Sequence, residues 1–258
     1  MNTVHFVGAG SGAPDLITVR GMRLLQEADV IVYAGSLVNP ELLSWASSGC
    51  EIYDSAYLHL EQVIEIMERA VRQGKKVVRL HTGDPSIYGA IREQIDLLEE
   101  RGIDCDVCPG VSSFQGAAAS LQAEYTLPGV SQTVILTRLE GRTPVPEGEK
   151  LKNLASHGAS MAIFLSASMA ERLQRELLDS GGYNSETPCA VVFKATWPEE
   201  KKIRTTLGRL AETMKESGIR KTAIILVGDF LEGEYQRSKL YDRHFSTEFR
   251  KAEGETGG

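Results

Sequence analysis

Short apolar runs alternate with longer amphipathic stretches through the first half of this chain, and that alternation restricts the fold more than any other feature. The runs cover 3–8, 29–35, 76–83 and 104–110, the stretches between them cover 18–28, 59–73 and 87–101, and small residues dominate 113–122. At 59–73, Leu60, Val63, Ile64, Met67 and Val71 recur at helical spacing, which marks one buried helix face. Helices of more than about ten residues separate these strands, as parallel crossovers require. The expected class is therefore α/β, with a mostly parallel first sheet.

Pro128-Gly129, inside "YTLPGVSQ", is strong punctuation. After it come strand-like runs at 133–138, 160–166 and 222–230, a strand and loop over 187–200, a further strand-like run at "KKIRTTLG", and helical stretches near 150–156, 168–180 and 209–218. Consecutive strands after 187 predict some antiparallel pairing, hence a mixed second sheet. The reading is an N-terminal α/β domain over 1–127, a C-terminal α/β domain over 128–245 and a disordered tail over 246–258, with the cleft between the two domains as the default ligand site. A length of 258 residues suits two domains of roughly 120 residues each.

The net charge of −7 disfavours a nucleic-acid partner held by a broad positive field. No apolar run reaches about 18 residues, so no membrane span is expected. A strand and glycine turn stand where a secretory signal would place a basic segment and a long apolar core, so the expected location is cytoplasmic. Cys105 and Cys108 make a lone CxxC without a second pair or a nearby histidine, which reads as a strand end, and no metal site is expected.

Three glycine-bearing turns follow predicted strands. "GAGSGA" at 8–13 fits the dinucleotide fingerprint, but Pro14-Asp15 delays the helix, and the second strand ends in "VYAGS" without the acid that holds ribose hydroxyls. "HTGDPSIYG" at 81–89 places Asp84 as a helix N-cap and Pro85 at the first helical position, and Gly83 allows close approach to the backbone. "CPGVSSF" at 108–114 repeats the design, with Ser112 or Ser113 as the cap. At the ends of successive parallel strands, three such turns would line one crevice.

In combination, G-x-G-x-G near the start, "GDPSIYG" and "PGVSS" resemble the tetrapyrrole methylase family. "VILTRLEGRTPVPEGEKL" at 134–151 and "AVVFKATWPEEKKIRTTL" at 190–207 are similar to its branch that methylates C11 of precorrin-4 or cobalt-precorrin-4. The resemblance spans roughly residues 3–240. The family's first loop commonly reads G-x-G-P-G-D; here Ser11 and Ala13 stand in place of the proline and aspartate, and Pro14-Asp15 follow.

The resemblance implies a homodimer of two α/β domains, a tetrapyrrole substrate and S-adenosylmethionine as methyl donor, leaving S-adenosylhomocysteine. By position it implies donor contacts from Gly83, Asp84, Ile87, Ser112, Ser113, Leu165, Ala195 and Ala223. Ser11, in the opening loop, would border the tetrapyrrole. The carboxylates of such a substrate call for cations, and Arg138, Arg142, Lys194 and Arg20 are the candidates, with Arg138 favoured because it closes an apolar strand. For a base after transfer, Asp84, Glu140 and His81 remain open. Methylation at C1, C17 or C20, transfer to RNA ribose or a diphthamide precursor, and a non-catalytic dinucleotide- or ligand-binding module are the other readings. The acidic balance counts against RNA.

Overall fold

The computed structural model describes residues 2–35 and 37–253. The chain divides into two compact units, the first comprising Met1–Leu121 with Val192–Lys202 and the second Gln122–Val191 with Ile203–Gly258. The stretch 192–202 thus belongs with the N-terminal half, although it lies beyond the Pro128-Gly129 punctuation.

The first unit is built on β1 (Thr3–Gly8), β2 (Val30–Tyr33), β3 (Glu51–Asp54), β4 (Val77–His81) and β5 (Asp104–Cys108), in the order β3-β2-β4-β1-β5. Every described pairing in this sheet is parallel. Helices α1 (Val19–Glu27), α2 (Leu60–Arg72) and α3 (Ile91–Glu99) make the crossovers, and α4 (Ser113–Leu121) follows β5. The Thr18 hydroxyl accepts the Gly21 N–H at 3.0 Å and starts α1. On α2, Val63, Ile64, Met67, Ala70 and Val71 are buried, close to the face read from spacing. They pack with Val4, Phe6, Val30 and Val32 on one side of the sheet, while Val7, Leu25, Ile31, Val78 and Leu80 form the core on the other. Each such fully buried side chain contributes about 1.5–3 kcal/mol.

Two readings of this unit change. The strand β3 was not anticipated: "EIYD" has only partial burial and edge pairing to β2, so backbone hydrogen bonding rather than an apolar run recruits it. The helix expected from 87 starts at Ile91, because Tyr88 and Ala90 take left-handed φ values of 55° and 49° and break the first turn away from it. Asp84 therefore caps a single turn and not a helix. Cys105 and Cys108 fall on opposite faces of the sheet, one packed with the α2 side and the other with the α1 side.

The second sheet contains β6 (Val134–Arg138), β7 (Ser160–Phe164), β8 (Pro188–Phe193), β9 (Lys201–Thr206) and β10 (Ala223–Val227), in the order β6-β7-β10-β8-β9. β6 and β7 are parallel and β7 and β10 antiparallel, so the sheet is mixed. Helices α5 (Leu151–Ala155), α6 (Ala170–Leu178) and α7 (Leu210–Ser217) contribute the buried Leu151, Leu173, Leu177, Leu210 and Met214. In the stretch read as a disordered tail, the Arg250 guanidinium donates to the carbonyls of Leu240, Asp242 and Phe245; residues 254–258 lie outside the described residues.

The end of β4 carries an unusual pair. Arg79 is buried with no carboxylate partner among the described residues, donating from Nε to Gln94 Oε1 at 2.9 Å and from Nη1 to the Val32 carbonyl at 3.1 Å. His81 is buried beside it, stacked on Phe6 at 5.9 Å between ring centroids, and its Nε2 has no partner among the described residues. Burial, reinforced by the Arg79 charge, pushes the His81 imidazolium down to about 3. In the unfolded chain the same ring takes its proton near 6.5. Between these values the unfolded state binds the extra proton, so native stability falls as pH falls, by about 1.4 kcal/mol per unit. Urea unfolding from pH 7.5 to 4.5 should show this slope in the wild type, and His81→Phe, which keeps the stack, should lose that share of it. Parallel slopes in the two proteins would contradict a neutral buried His81.

Candidate functional site

β4, β1 and β5 are neighbours, and the three turns at their carboxyl ends meet. Ala9 N–H donates to the His81 carbonyl at 2.7 Å, and Gly10 and Gly83 exchange backbone hydrogen bonds at 3.2 and 2.9 Å. A Cβ added to Gly8 would lie 2.6 Å from both Gly110 Cα and Gly83 O, and one added to Gly110 would collide with Gly83 O. Only glycine permits this backbone-on-backbone approach. Gly83 itself has φ +59°, and an added Cβ would lie in ordinary contact with Ser112 Cα at 3.5 Å, so its left-handed backbone rather than a clash calls for glycine.

Asp84 ties the second turn to the third. One carboxylate oxygen accepts the Ser86 N–H at 2.8 Å and the Ser86 hydroxyl, and the other accepts the Gly110 N–H at 2.9 Å. Burial alone would raise this carboxyl, but the hydrogen bonds from Ser86 and Gly110 outweigh it and hold it below the usual carboxylate range. A carboxylate satisfied in this way is a clamp and a weak proton acceptor. His81, neutral and pushed down to about 3, is a weak base as well. Ser112 is buried and begins α4: its carbonyl accepts the N–H groups of Gln115 and Gly116 at 3.1 Å, and Gln115 Oε1 takes the Ser112 N–H at 2.9 Å. Gly83, Asp84, Ser112 and Ser113 therefore stand together, and the half-buried Ile87 lies on the Asp84 turn.

The opening loop is covered by residues that the sequence reading missed. A Cβ on Gly12 would strike Trp197 Cδ1 and lie 2.7 Å from the Ala195 carbonyl. Asn39 Nδ2 donates to the Gly12 carbonyl at 3.0 Å, and Thr196 Oγ1 accepts the Ala13 N–H at 3.0 Å. Ser11 is buried with its hydroxyl 3.0 Å from that of Thr196, so its side chain points into the protein and not toward a substrate. Ala195 is buried here too, offering only backbone. The available signal was a tryptophan placed in the otherwise polar "KATWPEE", which needs apolar or backbone cover.

The cationic candidates divide. Lys194 pairs with Glu199 at 3.0 Å and lies 4.9 Å over the Trp197 ring. Arg138 donates to the carbonyls of Thr143 and Pro144 at 3.1 and 2.9 Å, shaping its own loop. Arg20 and Arg142 are exposed. In the second unit, Arg138 is in register with Phe164, next to Leu165, and Leu139 N–H donates to the buried Ser166 Oγ at 2.9 Å. Continuing the β7–β10 register from Ile163 and Ile225 sets Ala223 opposite Leu165. Leu165 is 65% exposed with φ 54°, and Thr222, just before Ala223, has φ 55°. An exposed leucine held in a left-handed conformation is stored strain of the kind found at ligand sites.

The glycine contacts give unequal costs. Gly8→Ala should lower stability by about 3 kcal/mol or more, since backbone must move. Gly83→Ala should lose about 1–2 kcal/mol, for its left-handed φ alone. Urea midpoints measure both, and equal losses would contradict the packed contact.

Residues 3–211 match the family described as Tetrapyrrole (Corrin/Porphyrin) Methylases. The chain is 58% identical over 250 residues, 96% of each protein, to the cobalt-precorrin-4 C(11)-methyltransferase of Methanocaldococcus jannaschii. The crystal structure of a cobalt precorrin-4 methyltransferase of cobalamin biosynthesis superposes with a TM-score of 0.87 at 49% identity, covering 90% of this chain and 96% of that one. The uroporphyrin-III C-methyltransferase of Thermus thermophilus, solved with S-adenosyl homocysteine, gives 0.74 at 26% identity, covering 89% and 93%. With the GDP turn, the PGVSS turn and the glycine contact between them in place, this chain belongs to the tetrapyrrole methylase family.

Proposed function

We propose that this chain is an S-adenosylmethionine-dependent C-methyltransferase of cobalamin biosynthesis that methylates C11 of cobalt-precorrin-4. The observation that carries this reading is identity of 58% along 96% of both chains to a relative of that activity. The meeting of the Gly8, Gly83 and Gly110 turns supports it.

The residues present suit the donor. It is a compact zwitterion with a cationic sulfur, and it needs close backbone approach and few charges. Gly83 offers backbone without a side chain, Asp84 is ionised and fixed, and Ser112 and Ser113 add hydroxyls at the start of α4. When bound, S-adenosylmethionine supplies a methyl group activated by its sulfonium. Gly83, Asp84, Ile87, Ser112, Ser113 and Ala195 are proposed as its contacts in the first unit, with Leu165 and Ala223 in the second. The protein's task is alignment, since orientation of two reactants is worth roughly 7–11 kcal/mol. Asp84 acts by fixing the cofactor turn against Gly110 and not as a base.

For the substrate, Arg142 and Arg20 are the cations open to its carboxylates, while Arg138 shapes the 139–144 loop and Lys194 braces Trp197. The opening loop borders the macrocycle through its backbone. The chain is proposed to be a homodimer, as its resemblance to the family implies. No helix among the described residues is long and apolar enough to cross a membrane.

Incubation with S-adenosylmethionine and cobalt-precorrin-4 should give one methylated product, with the new methyl at C11 by NMR and one equivalent of S-adenosylhomocysteine. A methyl at C1, C17 or C20 would assign another member of the family. By calorimetry, Asp84→Ala should bind S-adenosylhomocysteine about tenfold more weakly, the loss of roughly one charge-assisted hydrogen bond's worth of organisation. Binding of NAD in preference to S-adenosylhomocysteine would overturn the reading. Arg142→Ala should raise the tetrapyrrole KM and leave S-adenosylhomocysteine affinity unchanged.

A further inference from the structure

We infer that Thr196 is a positioning residue: its hydroxyl, held out by a left-handed backbone, fixes the opening loop at Ser11 and Ala13 and so sets the edge against which the methyl acceptor is aligned. This inference rests on the proposed methyl transfer for its kinetic consequence, while its structural content stands on the first unit alone.

Thr196 has φ +65°, and Lys194, two residues earlier, has φ +47°. A β-branched residue at such a φ is a genuine outlier, which persists only where its surroundings over-determine it. The surroundings here do so. Thr196 N–H donates to Glu200 Oε2 at 2.6 Å, and the same oxygen accepts the Ser120 hydroxyl of α4 at 2.5 Å. Trp197 N–H returns to the Lys194 carbonyl and Glu200 N–H to the Trp197 carbonyl, each at 3.0 Å. Lys202 Nζ donates to the Ser120 carbonyl at 3.0 Å. The 194–200 loop is thus tied within itself and to α4 without using the Thr196 side chain.

The opening loop lacks that independence. Gly10 is tied to Gly83 and the Gly12 carbonyl to Asn39, but Ser11 and the Ala13 N–H are held by the Thr196 hydroxyl, each at 3.0 Å. Gly116 of α4 leaves the recess for this pair, since a Cβ there would lie 2.6 Å from Ser11 Oγ and 3.2 Å from Thr196 Cγ2. Relaxing Thr196 to an ordinary φ would swing its hydroxyl off the loop. Removing the hydroxyl alone frees the loop and leaves the 194–200 ties, and with them Ala195, where they are.

Thr196→Val keeps the shape and removes the hydroxyl; Thr196→Ser keeps the hydroxyl. In hydrogen–deuterium exchange, Thr196→Val should speed exchange of the amides in 11–16 and leave 197–200 unchanged, a result that needs no substrate. In turnover it should raise the tetrapyrrole KM about tenfold, the scale of one hydrogen bond, with S-adenosylhomocysteine affinity within about twofold of wild type. Thr196→Ser should restore both. Unchanged exchange at 11–16 in Thr196→Val overturns the inference whatever the enzyme's substrate proves to be. So does a parallel fall of exchange protection at 197–200, S-adenosylhomocysteine affinity and Tm that serine fails to rescue. Absence of C11 methylation by the wild type would instead overturn the proposed function, with the exchange result still deciding the role of Thr196.

Discussion

The contact of backbone on backbone at Gly8, Gly83 and Gly110 is the constraint on which the first unit's working end depends. Parallel strands bring their carboxyl ends to one edge, but side chains would normally hold the connecting loops apart. Here three loops shed them where they cross. The Gly10–Gly83 bridge and the Asp84–Gly110 bond can then form. Each glycine also gives up the entropy of a flexible unfolded chain, a cost offset by the packed cores around β1 and β4.

Backbone strain gathers at positions close in sequence to the proposed cofactor contacts of each unit. Tyr88 and Ala90 flank Gly89 beyond the Asp84 turn, Lys194 and Thr196 flank Ala195, and Leu165 and Thr222 stand beside the register position of Ala223. All are non-glycine residues in left-handed conformations, and each is close in sequence to a proposed cofactor contact.

Much of this was legible. Helical spacing on 59–73 and the apolar runs fixed the α/β class, because burial enforces period on the core. The turn motifs located Gly83, Asp84 and Ser112, because a glycine after a strand has a local physical reason. What escaped had non-local causes. β3 is made by edge pairing, which leaves no apolar trace in "EIYD". Asp84 looked like a helix cap, and the departure comes from the left-handed Tyr88 and Ala90, which no local preference of those residue types announces. Arg138 and Lys194 looked like free cations, yet their partners, Pro144 and Glu199, are set by loop closure. Thr196 meets Ser11 across 185 residues of chain, a distance at which a single sequence is silent.

The order β3-β2-β4-β1-β5 has a consequence for how the polypeptide is made. β1 precedes both of its partners in the chain, so one of its edges stays unpaired until His81 has been made and the other until Cys108 has. The unit is still unfinished then, because Val192–Lys202 supplies the cover for Gly12. The first unit thus cannot close until 192–202 has been made, so its early strand stays open to wrong partners across a long stretch of synthesis.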